Sequence, residues 1–361
     1  MIKRISIFFG VIVIILGLAE MGQGQAKVSA SVQTEKEKLA DEQLYPIEVE
    51  GKYGFINSKG ETVIQPIYDS SGYAYPGQPG SPVFVEDRAK LEQIYFSVTG
   101  DKLFECPLNT CGVLYDGLAL YTSKFQNSDG ISVIKYGYIN SQGDVVIPPI
   151  YHKAFNFVEG LARVNQGKAT GYINTKGELV IPYRFSATSD FSEGLAVVKY
   201  TVSGKYGYID TSGKLIVSTR FDYAEAFSEG VAAVYVNGKY GYIDKTGKYL
   251  LPPQYSLARP FSDGLAFVER NGVTFYINKK GEKVIHNIKV GEKFSGGLAP
   301  ASTGRKYGYI NTSGTFVIKQ QFEWANFFSG DLAQVYLYNS DSSDDLYAYI
   351  NRNGEIVWQK Q

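Results

Sequence analysis

Apolar and polar positions alternate with a period of two through short runs such as Tyr206 to Ile209 and Lys214 to Val217, and Asn, Asp or Gly separates the runs. Period two predicts strands, because successive side chains point to opposite faces of a sheet. Val231 to Val236 leads through Asn237-Gly238 into Lys239, and Leu195 to Val198 leads through Ser203-Gly204 into Lys205. Asn-Gly between two apolar runs is a strong hairpin signal. The next connection is Asn/Asp-x-x-Gly, which offers a side-chain acceptor at the start of a turn and a residue tolerant of positive φ at its end. Each unit is therefore expected to be a three-stranded antiparallel meander. Strands such as Leu195 to Val198 are apolar on both faces, so neighbouring units must cover both.

The pattern recurs along the whole chain. Lys-Tyr-Gly-Phe/Tyr-Ile-Asn/Asp stands at 52–57, 135–140, 205–210, 239–244 and 306–311, with worn copies at 170–174, 274–278 and 347–351. The turn glycines are Gly60, Gly100, Gly143, Gly177, Gly213, Gly247, Gly281, Gly314 and Gly354, at intervals of 40, 43, 34, 36, 34, 34, 33 and 40 residues. A fixed period of this size marks a repeat architecture. Between units, an apolar residue, a small one and Phe recur three apart, as in Phe221/Ala224/Phe227 and Tyr255/Ala258/Phe261, which suggests a single helical turn. Acidic-Gly-Leu/Val-Ala follows, as Glu193-Gly194-Leu195-Ala196, and its carboxylate is read as a local turn former. The glycine inside Tyr-Gly-Tyr is expected to admit an aromatic ring from the next unit.

Lys-Tyr-Gly-Tyr/Phe-Ile-Asn/Asp-x-x-Gly, a Pro near the end of the following strand (Pro66, Pro148, Pro182, Pro252) and Phe-Ser/Val-Glu/Asp-Gly-Leu-Ala together resemble the WG (KWG) repeat of bacterial proteins, over roughly residues 45 to 358. The Trp of that name is Tyr here, or Thr at Thr170 and Thr274. The resemblance implies a β-repeat array and no shared catalytic residues. The expected fold is all-β: a tandem array of about nine units of about 34 residues, as an open, curved, solenoid-like array or a propeller-like ring. Three strands per unit favour the open form, because propeller blades usually have four.

The N-terminus departs from the repeat. Lys3 and Arg4 precede an apolar stretch from Ile5 to Leu18, followed by small residues around Ala26. That order is a signal peptide, and the stretch is short for a membrane span of about 20 residues, although an uncleaved signal anchor is the alternative. The expected organisation is a signal segment at 1–26, a polar tether at 27–43 and the repeat domain at 44–361, in an extracellular or cell-surface protein. Membrane contact is expected only through the N-terminal segment.

Composition then narrows the function. With 36 basic and 36 acidic residues and no basic block, nothing is set to neutralise a nucleic-acid backbone. His152 and His286 are the two histidines, and Cys106 and Cys111 the two cysteines, which argues against metal clusters, cofactors and Cys/His nucleophiles. In an exported chain the cysteine pair suggests a local disulfide. Asp341-Ser342-Ser343-Asp344-Asp345 lacks an EF-hand pattern and suggests a solvated loop. Tyr73 and Tyr75, in a Pro/Gly loop, are the candidate ligand-facing residues. These features suggest a non-enzymatic binding module for a cell-wall glycan or another surface protein. The alternatives are a secreted glycoside hydrolase with a concealed carboxylate pair and a structural spacer or adaptor.

Overall fold

The computed structural model describes residues 43–72, 81–338 and 346–360. Among them every regular element is a strand, and the strands form nine small antiparallel sheets, one three-stranded and eight four-stranded. The sheets follow one another as blades of a nine-bladed β-propeller: residues 45–68, 70–107, 111–151, 153–185, 187–221, 223–255, 257–285, 290–322 and 324–359. The predicted meander supplies three strands of each blade. In blade 6 these are Val231–Val236, Lys239–Asp244 and Tyr249–Tyr255.

The expected helical turn between units is instead a further strand. Tyr223–Ala224 pairs antiparallel with Val234 and Tyr235, and equivalent two-residue strands open blades 2, 5, 7, 8 and 9. The spacing of three arises because Phe221 ends one blade, while Ala224 and Phe227 bury their side chains in the seam before the next. The blades thereby reach the four strands usual for a propeller; among the described residues blade 1 shows three.

One hydrogen bond fixes blade on blade. In seven blades a tyrosine of the central strand is fully buried and its hydroxyl donates to a carbonyl on the next blade's first strand or just past it: Tyr95 to Gly112, Tyr138 to Phe155, Tyr172 to Ser189, Tyr208 to Glu225, Tyr242 to Arg259, Tyr276 to Glu292 and Tyr309 to Asn326, all at 2.7–2.8 Å. Tyr349 of blade 9 makes the same bond to Pro46 of blade 1 at 2.9 Å, which closes the ring. Around that junction Tyr45, Ile47, Ile56, Leu332 and Tyr349 form a shared core. Phe55 stands at the equivalent place in blade 1 and has no hydroxyl to give.

The central-strand glycine also has a different cause from the expected one. A Cβ on Gly207 would meet the backbone of Val217, Ser218 and Thr219 at 2.5–2.9 Å, so the close neighbour is the outer strand of its own blade and not a ring from the next. There the outer strand bulges, with Tyr206 opposite Phe221 and Tyr208 opposite Val217. The bulge occurs in the six blades with glycine at this position, and is absent where Ile94, Phe275 and Ala348 replace it.

Candidate functional site

A meander alternates its turns between two ends, so each blade sends two kinds of connection to each face of the ring. The upper face carries the acidic-Gly turns and the Asn/Asp-x-x-Gly hairpins; the lower face carries the Asn-Gly type turns and the links between blades.

The upper face is committed to structure. Glu193 and Gly194 both have positive φ, at 55° and 81°, as a tight primed turn requires. The Glu193 carboxylate leaves its own turn and accepts the Gly230 amide of the next blade at 2.9 Å. Asp116 does the same to Gly160, Glu159 to Glu193 and Gly194, Glu229 to Gly264, and Asp263 to Gly297. The acidic residue is thus an inter-blade clasp as well as a turn residue. Gly296 and Gly330 break the series, and there the Arg352 guanidinium donates to the Gly296 and Gly330 carbonyls at 2.9 and 2.8 Å. Equivalent points of adjacent blades meet within side-chain reach only close to the ring axis, so the first strand of each blade is innermost and the last forms the rim.

The lower face retains accessible aromatic side chains. Tyr200, Tyr223, Trp324 and Tyr338 are 38%, 42%, 45% and 71% exposed. Tyr200 packs on Phe185 at 5.1 Å, and the other three gather at two places. At blades 5 and 6, the register Tyr223↔Tyr235↔Tyr240 puts three rings on one face of the sheet, and Tyr206 of blade 5 lies 5.9 Å from Tyr223, centroid to centroid. At blades 8 and 9, Trp324 packs 4.9 Å from Tyr307, and Lys306 lies 5.4 Å over Tyr338. Lysines that begin the repeat phrase flank these rings, paired with link carboxylates: Lys52 with Asp69 at 2.6 Å, Lys205 with Asp222, and Lys306 with Glu323. The Lys205 ammonium holds Asp222 below the usual carboxylate range.

The sequence candidates scatter. Cys106 and Cys111 are joined by a disulfide with Cα atoms 6.2 Å apart, which ties the last strand of blade 2 to the first of blade 3. Both sulfurs are buried, and the Gln93 side-chain oxygen accepts the Cys111 amide at 3.2 Å. His152 and His286 are exposed in links on the lower face. Tyr73, Tyr75 and the acidic stretch at 341–345 lie outside the described residues, as do the signal segment and nearly all of the tether. Among the described residues no group of three or more His, Cys, Asp or Glu is placed to hold a metal. The tyrosine group at blades 5 and 6 was not legible in the sequence, where Tyr206 and Tyr240 are ordinary repeat positions while Tyr223 and Tyr235 stand at places that vary between blades. Only the cross-strand register brings them together. Glu225 gave a usable signal: its place in the link holds Phe155, Ser189, Glu225, Arg259, Glu292 and Asn326 in successive blades, a variable position between repeating ones.

The WG containing repeat family matches residues 53–74, 136–168, 171–201, 206–240, 240–273 and 307–339, more than half of the chain. The chain belongs to the WG repeat family. Its Tyr53, Tyr136, Tyr206, Tyr240 and Tyr307 stand where the WG name has Trp, in the row nearest the lower face. No curated protein matches the chain. Solved structures resemble this WG-repeat ring only loosely. Hsv2 of Kluyveromyces lactis is 9% identical, with a TM-score of 0.36, over 76% of this chain and 94% of its own. Apo AztD from Citrobacter koseri is 10% identical, with a TM-score of 0.36, over 75% and 92%. A chain from a study of two prolyl endopeptidases is 10% identical, with a TM-score of 0.37, over 90% and 59%. Likenesses this weak say nothing about what the WG-repeat ring binds or does.

Proposed function

We propose that this WG-repeat propeller is an exported, non-enzymatic binding module that presents the lower face of its ring to a cell-wall glycan. The observation that carries this is the retention of Tyr223, Trp324 and Tyr338 in water, beside partly covered tyrosines, in a fold that buries most of its other rings. Such rings offer flat, amphipathic surfaces on which sugar faces stack. The carboxylates of the acidic-Gly turns are engaged in clasps between blades, so they repeat around the ring rather than forming the singular acidic pair that a glycoside hydrolase needs. The N-terminal Lys3-Arg4 and apolar run supply the export signal.

The test is retention of the purified protein by cell-wall fractions and by a glycan panel. Trp324→Ala and Tyr223→Ala, each checked for an unchanged circular dichroism spectrum, are expected to lower retention about 5- to 30-fold, since a stacked ring is worth roughly 1–2 kcal/mol. Recovery of a single protein partner with no polymer retained would replace the glycan reading with the adaptor one.

A further inference from the structure

The tyrosine group at blades 5 and 6 contains a carboxylate that the fold leaves without a cation. Glu225 lies two residues from Tyr223 along the same chain, on the face that Tyr235 and Tyr240 share. Burial first, and this carboxylate next, push the Tyr223 and Tyr240 phenols above the usual tyrosine range. Among the described residues no basic nitrogen comes within ion-pair distance of Glu225, whereas related inner positions are paired: Glu292 with Arg259 at 3.3 Å, and Asp190 with Arg163 at 2.7 Å. Lys199 sits 4.9 Å over Tyr206, so the outermost ring of the group already serves as a cation platform.

We propose that Tyr223, Tyr235, Tyr240 and Glu225 form a binding site for a methylated ammonium group. Ring faces attract a diffuse cation through their quadrupoles, and the carboxylate supplies the compensating charge. A primary ammonium fits less well. It is strongly hydrated and brings three N–H donors, for which one carboxylate is a poor exchange for water. A trimethylammonium group has no N–H to satisfy and sheds its water more cheaply. This proposal rests on the assignment of the lower face as the binding face and adds the chemistry of one ligand group to it.

Calorimetric titration of the purified protein compares choline with its uncharged carbon isostere, 3,3-dimethylbutan-1-ol, and with ethanolamine. Choline is expected to bind saturably and both others at least about tenfold more weakly. Glu225→Gln keeps the side-chain shape and is expected to weaken choline by roughly tenfold with an unchanged melting temperature; Tyr223→Ala is expected to do the same. Equal binding of choline and its isostere, equal binding by wild type and E225Q, or no binding of choline would each overturn the site. If cell-wall retention then persists and still falls with Trp324→Ala, the lower face remains the binding face without this ligand. Loss of both removes the assignment of the face itself.

Discussion

The hydroxyl of the buried central-strand tyrosine contributes a bond that phenylalanine could not make, and its surroundings keep it protonated. Burial pushes Tyr138, Tyr172, Tyr208, Tyr242, Tyr276 and Tyr309 well above the ordinary tyrosine range, so each remains a donor across the physiological range. Tyr242→Phe would keep the ring against Phe261 but leave the Arg259 carbonyl without its donor. Removing one partner of a buried hydrogen bond costs about 1–3 kcal/mol. The expected result is a lower urea midpoint with an unchanged slope, and an unaltered midpoint would show that the hydroxyl is incidental. Phe55, in the same place in blade 1, shows that one interface can do without the bond.

At the scale of the element, the six bulged blades tie one glycine to the shape of an entire outer strand. A methyl group on Gly308 would come 2.5 Å from the Ile318 carbonyl oxygen and 2.8 Å from the backbone of Lys319 and Gln320, none of which can move without straightening the bulge. Gly308→Ala is therefore expected to cost about 1–3 kcal/mol, as overpacking does, and to speed amide exchange along Phe316–Phe322. Ala348 occupies the same place in blade 9 opposite a strand with no such bulge, so Ala348→Gly should leave exchange along Ile356–Gln359 nearly unchanged. If Gly308→Ala leaves amide exchange along Phe316–Phe322 unchanged, the bulge does not depend on the glycine. The strands and hairpins of each meander were legible in the sequence because period two and Asn-Gly are local signals. The fourth strand was not. In six blades it is two residues long, so no alternation can announce it, and the spacing of Phe221, Ala224 and Phe227 imitates a helical turn.

Whether a repeat array closes depends on the angle summed over all its interfaces, which no single unit encodes, and this is why the sequence left ring and open array both standing. Closure is visible in residues only at the seam, where the ends of the chain depart from the repeat. Blade 9 meets blade 1 there through side chains: Tyr349 bonds to the Pro46 carbonyl, the Tyr347 hydroxyl accepts the Glu48 amide at 3.1 Å, and Lys360 pairs with Glu48 at 3.0 Å. Tyr45 is the hub. Its hydroxyl donates to the Ser329 carbonyl at 2.7 Å and accepts the Asp331 and Leu332 amides at 3.1 and 3.3 Å, while its ring lies 5.5 Å from that of Tyr349. At the other interfaces the chain itself runs from one blade to the next, but here nothing covalent holds the two blades together. Tyr45→Ala removes the ring and the three bonds at once, a loss of about 3–5 kcal/mol for a buried aromatic. Because the seam is where the ring can part without breaking a sheet, that loss is expected to appear as local opening: fast amide exchange in Tyr45–Val49 and Ala333–Tyr336, with blades 4 to 6 still protected. Uniform loss of protection around all nine blades would mean instead that the ring unfolds as one cooperative body and that the seam is no weaker than any other interface.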